Sequence, residues 1–332
     1  MTRPIPVIFG PTAVGKTDLS LEIARCLEAE IISADSRQIY RGLDVGTAKP
    51  SPRQRQMVPH HLIDLLNPDE PLNAARFARL ARCCLQTIEA RRRLPLVVGG
   101  SGLYIRALTD GLFVSPEANP GVRLALEEEA RNLGLQALHD RLAAVDAVAA
   151  RRIHRHDQVR IIRALEIYTV TGRPISHWQR QWQNPVRPRD FVLIGLRRDR
   201  EDLRRRIAAR TETMLQMGLV AEVERMLALG FPPTLPALQS VGYGEIVAYL
   251  DGRWNLAQAR ALIERHTWRL AKRQMTWFRR LAGVHWLCLT GRPEPVAIQG
   301  IQDIVTNTAE TASKSAAAVW PEQPECTCPA SI

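Results

Sequence analysis

The sequence lacks the features that define several classes of protein. None of its 332 residues falls in an uninterrupted apolar run that approaches the length of a membrane-spanning helix. The first strand-like segment comes at the very start of the chain, without the pattern of a signal peptide. The six cysteines show none of the paired spacings that hold zinc. We therefore predict a cytoplasmic protein that needs no membrane and no structural zinc ion.

Lysine is scarce as well, since only four of the 45 basic residues are lysines and arginine supplies the rest. The net charge is +11, and most of it lies between Arg197 and Arg280. A positive charge of this size predicts a polyanionic partner beyond a small phosphorylated substrate. Arginine suits phosphate binding and base stacking, but its dominance is equally compatible with a bias in genomic base composition. The position of the charge is therefore more informative than the count.

A glycine-rich stretch, GPTAVGKT, matches the phosphate-binding loop, and it lies between a strand-like apolar run and a helical pattern, as that motif requires. Gly10 and Gly15 allow backbone N–H groups to approach phosphate oxygens closely. Lys16 supplies a positive charge, and the Thr17 hydroxyl is placed to ligate Mg²⁺. The predicted diphosphate site consists of Gly10, Pro11, Thr12, Ala13, Val14, Gly15, Lys16 and Thr17.

Two features beside this loop distinguish it from an ordinary nucleotide hydrolase. The second apolar run ends at Asp35, whose carboxylate suits Mg²⁺ binding through water, ribose binding or general-base catalysis. Alternatively, Asp35 and Ser36 only cap the next helix. The third apolar run ends in Val-Gly-Gly, without the aspartate that holds Mg²⁺ in P-loop NTPases. This absence argues against an ATPase or a GTPase.

The order of patterns along the chain predicts the fold class. Short apolar runs alternate with helical patterns, which is typical of a P-loop NTPase-like α/β fold with a parallel sheet flanked by helices. Residues 115–185 are helical and charged, so we predict an inserted helical lobe there. The core then comprises residues 1–114 and 186–290, with basic helices toward its C-terminal end. Residues 291–332 are rich in Pro, Ser, Thr and Ala without periodicity, which predicts a disordered tail.

The last predicted helix of the core separates apolar from basic residues. The apolar stripe, which we interpret as core, consists of Leu270, Ala271, Trp277, Phe278 and Leu281. The neighbouring basic stripe consists of Arg265, Arg269, Lys272, Arg273, Arg279 and Arg280. Six cations with no acid after Glu264 fit a nucleic-acid backbone better than a self-compensated surface. For Arg160 and Arg163 in the inserted lobe, the pattern favours solvent over a phosphate.

Several segments together resemble the tRNA dimethylallyltransferases, the isopentenyl transferases of tRNA. They include ADSRQIYRGLDVGTAKP, VVGGSGLYIRAL, GLVAEVERML and AKRQMTWFR, and the resemblance runs in order over residues 4–286. The Asp-Ser-x-Gln-x-Tyr and Ala-Lys-Arg-Gln-x-Thr-Trp elements are far more specific than the phosphate-binding loop alone. It implies transfer of a dimethylallyl group from dimethylallyl diphosphate to the exocyclic N6 amine of the adenosine 3′ of a tRNA anticodon. The implied partners are tRNA, dimethylallyl diphosphate and Mg²⁺, and we expect a monomer.

The resemblance also implies residue roles. Asp35 matches the general base, Lys16, Thr17 and Arg210 complete the catalytic group, and Mg²⁺ lies at Thr17. The implied tRNA contacts are Asp35, Ser36, Arg37, Gln38, Ser101, Arg123, Val159, Arg160, Ile161, Ile162, Arg163, Gln239, Ser240, Val241, Gly242, Tyr243, Gly244, Lys272, Arg273, Gln274, Met275, Thr276, Trp277, Phe278 and Arg279. Ser101 stands where the family has threonine, and Gln239 and Gly244 stand where relatives are often basic.

The chemistry of the residues agrees with this resemblance. A departing diphosphate carries charge that a phosphate-binding loop and Mg²⁺ stabilise, and a weakly nucleophilic adenine amine needs a carboxylate to accept its proton. Two alternatives remain. A small-molecule kinase explains the loop but not the basic C-terminal half. A non-catalytic RNA-binding protein explains the charge but leaves Asp35 without a role.

Overall fold

The computed structural model describes residues 4–111, 119–180 and 191–312. Six strands lie in this part of the chain and form one parallel sheet in the order β3-β2-β4-β1-β5-β6. The strands are β1 (Ile5–Phe9), β2 (Ala29–Ala34), β3 (His60–His61), β4 (Leu94–Gly99), β5 (Phe191–Arg197) and β6 (Val284–Cys288). The predicted α/β fold with a parallel sheet is confirmed.

Helices follow or connect these strands. They are α1 (Lys16–Cys26), α2 (Pro52–Met57), α3 (Ala74–Ala90), α4 (Gly102–Thr109), α5 (Pro120–Val145), α6 (Ala147–Arg152), α7 (Gln158–Thr171), α8 (Ile175–Gln179), α9 (Arg200–Gln216), α10 (Leu219–Ala228), α11 (Tyr243–Leu250), α12 (Leu256–Phe278) and α13 (Glu294–Ala312). No helix within the described ranges is long and apolar enough to cross a membrane.

The strand register brings three distant segments to one edge of the sheet. Every residue of β1, β2 and β4 is buried, as expected of parallel strands covered on both faces. Gly99 at the end of β4 pairs with Phe9 of β1 and with Ala34 of β2. The three strands therefore end at the same level, and the residues that follow them meet at the carboxyl edge, where parallel sheets bind ligands.

The chain divides into two compact units, Met1–Thr109 with Arg187–Ile332 and Asp110–Val186. The first contains the sheet. The second, called the helical unit below, contains α5 to α8 around its own apolar core, which includes Leu138, Leu142, Ile161 and Leu165. The predicted lobe boundary near residue 115 and the one near residue 185 both fall outside the described residues.

The predicted disordered tail is wrong for its first part. Residues 294–312 form α13, which packs Ala297, Ile301 and Val305 into the core beside α1 and β5. These three residues recur every four positions, so they lie on one face of the helix. The prediction rested on the composition of residues 291–332 as a whole, in which this period is not apparent. Residues 313–332, the rest of the predicted tail, lie outside the described part.

Candidate active site

The predicted phosphate-binding loop connects β1 to α1. Helix α1 begins at Lys16, and its N-cap, Gly15, has a φ of 103° that favours glycine. A side chain at Gly10 would bring its β-carbon to 2.7 Å from the Leu196 carbonyl oxygen, so this position also requires glycine. The N-terminal end of an eleven-residue helix and the turn before it thus face the carboxyl edge of the sheet, an arrangement that attracts anions.

Lys16 lies within this loop. Its Nζ donates to the carbonyl oxygens of Gly10 at 3.0 Å and Pro11 at 2.9 Å. Burial lowers the pKa of Lys16 to about 8, the nearby Asp35 carboxylate opposes this shift, and Arg210 adds to it. The ammonium group therefore remains largely protonated at neutral pH and can interact with an anion placed over the loop.

Three arginines surround the loop from the other side. Arg198 donates from Nε to the Val14 carbonyl at 2.8 Å, and Arg206 donates from Nε to the Ala13 carbonyl at 2.9 Å. Arg210, one turn beyond Arg206 on α9, has no hydrogen-bond or ion-pair partner within the described residues. Burial lowers the pKa of Arg210, although Asp35 opposes the shift. An unpaired, partly buried guanidinium beside a lysine is suited to bind an anion.

Arg210 was among the residues predicted from the sequence, but Arg198 and Arg206 were not. Both lie in the arginine-rich segment that begins at the end of β5, about 185 residues after the loop that they contact. The only sequence signal was the spacing of four between Arg206 and Arg210, which places both on one face of a helix.

Asp35 follows β2 directly and has two different carboxylate oxygens. Oδ1 accepts the N–H groups of Arg37 at 2.8 Å and Gln38 at 3.4 Å, so it stabilises the turn after the strand. No donor to Oδ2 lies within the described residues. The Ser36 N–H donates to the Ser101 hydroxyl at 3.0 Å, which fixes this turn to the end of β4. The next helix, α2, begins only at Pro52, so the predicted helix cap is wrong and Asp35 caps a turn instead. One of its oxygens is used in this way and the other is available.

Two cavities meet at Asp35. The larger cavity, about 680 Å³ in volume, contains the diphosphate site predicted from the sequence and is called the diphosphate cavity below. It is lined by the phosphate-binding loop, by most of residues 44–55 and by α9. The second cavity, about 420 Å³, contains several of the implied tRNA contacts and is called the acceptor cavity below. It is lined by Ser36, Arg37, Ser101, residues 239–243 and one face of α12. Asp35, Arg210 and Gln274 line both cavities. One carboxylate and one free guanidinium therefore lie where two adjoining binding spaces meet.

Two glutamines that the resemblance assigned to tRNA contacts are engaged within the protein. Gln274 on α12 accepts the Thr12 N–H at 2.9 Å and donates to the Gly100 carbonyl at 2.9 Å. It thereby ties the phosphate-binding loop to the turn after β4. The Gln38 amide accepts from the Ser33 hydroxyl at 3.0 Å and donates to the Ala48 carbonyl at 3.3 Å. Both side chains fix the walls of the cavities.

The basic stripe lies at the C-terminal end of α12 and is exposed. Arg265, Arg269, Lys272 and Arg273 belong to the helix, and Arg279 and Arg280 follow its last residue. All six are exposed, and none has an acidic partner within the described residues. Arg273 also lines the acceptor cavity. Beside the stripe, the cations of Arg200, Arg204 and Lys272 lie within 6.0 Å of the Trp268 ring. Uncompensated cations thus continue from the acceptor cavity onto the surface.

Some of the implied tRNA contacts have little or no exposed surface, which argues against direct contact for those that line neither cavity. Phe278 and Ile161 are fully buried, while Ile162 is 4% and Tyr243 is 1% exposed. Trp277 packs on α4, where a β-carbon at Gly102 would collide with its ring. The resemblance assigned whole contiguous stretches, but a helix turns about 100° per residue and presents only some of them to a partner.

The remaining implied contacts vary in exposure. In the acceptor-cavity loop, Gln239 is exposed, Ser240, Val241 and Gly244 are half-buried, and Gly242 is buried. On α12, Thr276 is exposed and Met275 is half-buried.

In the helical unit, two of the predicted basic contacts form an internal ion-pair cluster. Glu166 is fully buried and accepts from Arg123 at 2.9 Å, from Arg163 at 2.8 Å and from the Asn119 N–H at 2.8 Å. Burial opposes ionisation of Glu166, but hydrogen bonds from Arg163 and Arg123 outweigh it, so its pKa lies below the ordinary value. Arg160, by contrast, is exposed. Val159 beside it is exposed as well.

Comparison with known proteins places this arrangement in a family. A family model for IPP transferase matches residues 38–281, and one for isopentenyl transferase matches residues 4–64. The chain belongs to the IPP transferase family. This IPP transferase is 48% identical over 281 residues to tRNA dimethylallyltransferase 2 of Geotalea uraniireducens, covering 85% of this chain and 91% of the relative. It is 46% identical to the tRNA dimethylallyltransferase of Geobacter sulfurreducens, with 85% and 90% covered.

Solved structures agree with this assignment. The tRNA isopentenylpyrophosphate transferase of Bacillus halodurans is 38% identical to this chain, with a TM-score of 0.71. The match covers 94% of this chain and 99% of the Bacillus halodurans chain. A eukaryotic dimethylallyltransferase acting on tRNA is 24% identical, with a TM-score of 0.79, and therefore shows a shared fold. The match covers 92% of this chain and 80% of the eukaryotic chain. The family resemblance seen in the sequence is confirmed, and the protein is a prenyltransferase.

Proposed function

We propose that the protein transfers a dimethylallyl group from dimethylallyl diphosphate to the exocyclic N6 amine of the adenosine 3′ of the anticodon in tRNA. The observation that carries this proposal is the position of Asp35 and Arg210 between two cavities. A transferase needs one space for the donor and one for the acceptor, with the reacting groups at their junction. The names of the relatives, all tRNA dimethylallyltransferases or tRNA isopentenylpyrophosphate transferases, support the substrate class.

The diphosphate cavity suits the leaving group. When the allylic C–O bond breaks, its electron pair leaves with the diphosphate. That charge can be stabilised by the loop N–H groups, the Lys16 ammonium and the unpaired Arg210 guanidinium. These groups are fixed before the reaction, so they need little reorganisation as charge develops.

The donor set beside the loop fits Mg²⁺. The Thr17 hydroxyl and the Asp35 carboxylate both line the diphosphate cavity and are hard oxygen ligands, and Mg²⁺ sites often combine one carboxylate with substrate phosphates and water. We infer that Thr17 holds the ion together with substrate phosphate oxygens and water, which leaves Oδ2 of Asp35 free to accept a proton. When bound, Mg²⁺ supplies additional stabilisation for the diphosphate charge.

The acceptor cavity suits the nucleophile. As the N6 nitrogen forms its bond to the allylic carbon, its proton must leave, and the free Oδ2 of Asp35 is the proposed acceptor. Oδ1 is occupied by the turn and keeps the carboxylate oriented. Bases in a single-stranded loop can be splayed out and bound individually, so an anticodon loop can deliver an adenine to this cavity while the exposed stripe contacts the RNA backbone.

We also propose that the enzyme is a cytoplasmic monomer, because its proposed substrate tRNA is cytoplasmic and the residues of one chain line both cavities. The decisive experiment incubates purified protein, Mg²⁺ and dimethylallyl diphosphate with an anticodon stem-loop that carries consecutive adenines. Mass spectrometry should show one added C5H8 unit on the RNA. Phosphate transfer from ATP with unmodified RNA would instead identify a kinase and refute the proposal.

A further inference from the structure

A buried carboxylate lies behind both cavities without lining either of them. Glu222 on α10 is 2% exposed, and its carboxylate accepts four hydrogen bonds. Oε2 accepts the N–H groups of Asp44 at 2.9 Å and Val45 at 2.8 Å. Oε1 accepts the N–H of Gly46 at 3.1 Å and the hydroxyl of Tyr243 at 2.6 Å. A charge at this depth needs such a complete set of donors.

The segment that Glu222 holds forms part of the wall of each cavity. Asp44, Val45 and Thr47 line the diphosphate cavity, and Gly46 and Thr47 line the acceptor cavity. The N–H groups of residues 44–46 have no other acceptor in the part of the chain that is described. Removal of the carboxylate would leave three neighbouring N–H groups without a partner, and the loop would have to move to find water.

Tyr243 supports the same loop from beneath. It is 1% exposed, lines the acceptor cavity, and lies so close to Gly46 that a β-carbon there would overlap its ring. Burial, followed by the charge of Glu222, raises the pKa of Tyr243 far above its usual range, so its hydroxyl stays protonated and donates. Glu222 thus joins a residue of the acceptor cavity to a loop of the diphosphate cavity.

We propose that Glu222 is a positioning residue for the transfer reaction, which fixes residues 44–47 against Tyr243 so that both cavities keep their geometry around Asp35. The inference rests on the proposed function, because its consequence is measured as prenyl transfer. Glu222 touches neither substrate space and acts only through the groups that it holds. It was not among the residues predicted from the sequence, since its partners lie about 180 positions away.

The substitution Glu222→Gln tests this role. Each oxygen of the Glu222 carboxylate accepts two hydrogen bonds, and in glutamine one of these oxygens becomes an NH2 group. Two of the four donors then lose their acceptor, and we expect residues 44–46 to be released. We expect the KM for dimethylallyl diphosphate to rise about tenfold and kcat to fall about tenfold. The salt dependence of tRNA binding, which depends on the exposed cations of α12, should not change. Amide hydrogen exchange at residues 44–46 should become faster.

Glu224→Gln is the matched control, because Glu224 lies on the same helix and is exposed. A folded Glu222→Gln variant whose KM, kcat and amide exchange equal those of this control would overturn the inference. Should Glu222→Gln fail to fold, Gly46→Ala tests the packing of residues 44–47 against Tyr243 that Glu222 is proposed to fix. Kinetic constants equal to those of the parent would again overturn the inference. If the parent enzyme does not prenylate RNA, the proposed function fails, and the exchange at residues 44–46 still decides whether Glu222 holds the loop.

Discussion

The two units of the molecule differ in whether the arginines predicted to bind substrate are paired with an acid. In the sheet-containing unit, Arg210 and Arg273 have no acidic partner within the described residues and line cavities. In the helical unit, Arg123 and Arg163 converge on the buried Glu166. The net charge of a segment therefore does not show how many of its cations are free to bind an external anion. A cation is free only if no buried acid lies within reach, because a buried acid must be paired.

The largest effect that bears on this comparison is expected at the junction of the two cavities. Asp35→Ala removes the proposed proton acceptor and should lower kcat by about 10³-fold, while tRNA binding is retained. Single-turnover assays and filter binding measure the two quantities separately. Equal losses of binding and turnover would mean that Asp35 only caps its turn.

Arg210→Gln tests the free cation of the sheet-containing unit. The variant should lose about 100-fold in kcat/KM for dimethylallyl diphosphate, because a group that stabilises the leaving charge is gone. Arg163→Gln serves as its counterpart in the helical unit and should leave this constant unchanged. Steady-state kinetics at fixed tRNA concentration compares the two, and equal losses would refute the distinction drawn between them.

The lysine of the phosphate-binding loop predicts a pH dependence. The protonated form of Lys16 binds the diphosphate, and its pKa is lowered to about 8. As the pH rises above this value the protonated fraction falls, so kcat/KM for the diphosphate should fall by about tenfold per pH unit. A pH profile of kcat/KM that stays flat to pH 10 would exclude an essential protonated Lys16.

Glu166→Gln tests the paired cations of the helical unit. Replacement of the buried carboxylate weakens both ion pairs and should lower the free energy of unfolding by about 2 kcal/mol. Because the folded pKa of Glu166 is depressed below 4.5, its contribution is present above that pH and is lost as the pH falls through the folded pKa. Chemical denaturation at pH 7 should therefore separate parent and variant more than at pH 3. A constant difference would contradict this ion-pair account.

The smallest effect is expected for the surface stripe. Arg273→Gln should weaken tRNA binding about fivefold at low salt and reduce the slope of log K against log salt by about 1. Arg163→Gln should leave the slope unchanged, because its cation is already paired. Titrations of labelled tRNA at several salt concentrations measure both, and identical slopes for the two variants would remove the contrast.

The parts of the structure that the sequence predicted are those encoded locally. The phosphate-binding loop and the turn at Asp35 lie within short stretches whose spacing has a direct mechanical meaning. Arg198, Arg206 and Glu222 were missed because their partners are main-chain groups far away in the chain, and main-chain groups have no sequence signature. Helix α13 was missed because its apolar residues, which include Ile298 and Ile304, run directly into a stretch rich in Ser, Thr and Ala.

The bridge that Gln274 makes between Thr12 and Gly100 has a consequence for the order of synthesis. The phosphate-binding loop leaves the ribosome early, but the amide that fixes it belongs to α12, more than 250 residues later. Arg198, Arg206 and Arg210 also arrive late. A nascent chain that ends before α12 therefore has an anion site that lacks the Gln274 bridge, and the complete site forms only when nearly the whole chain has emerged.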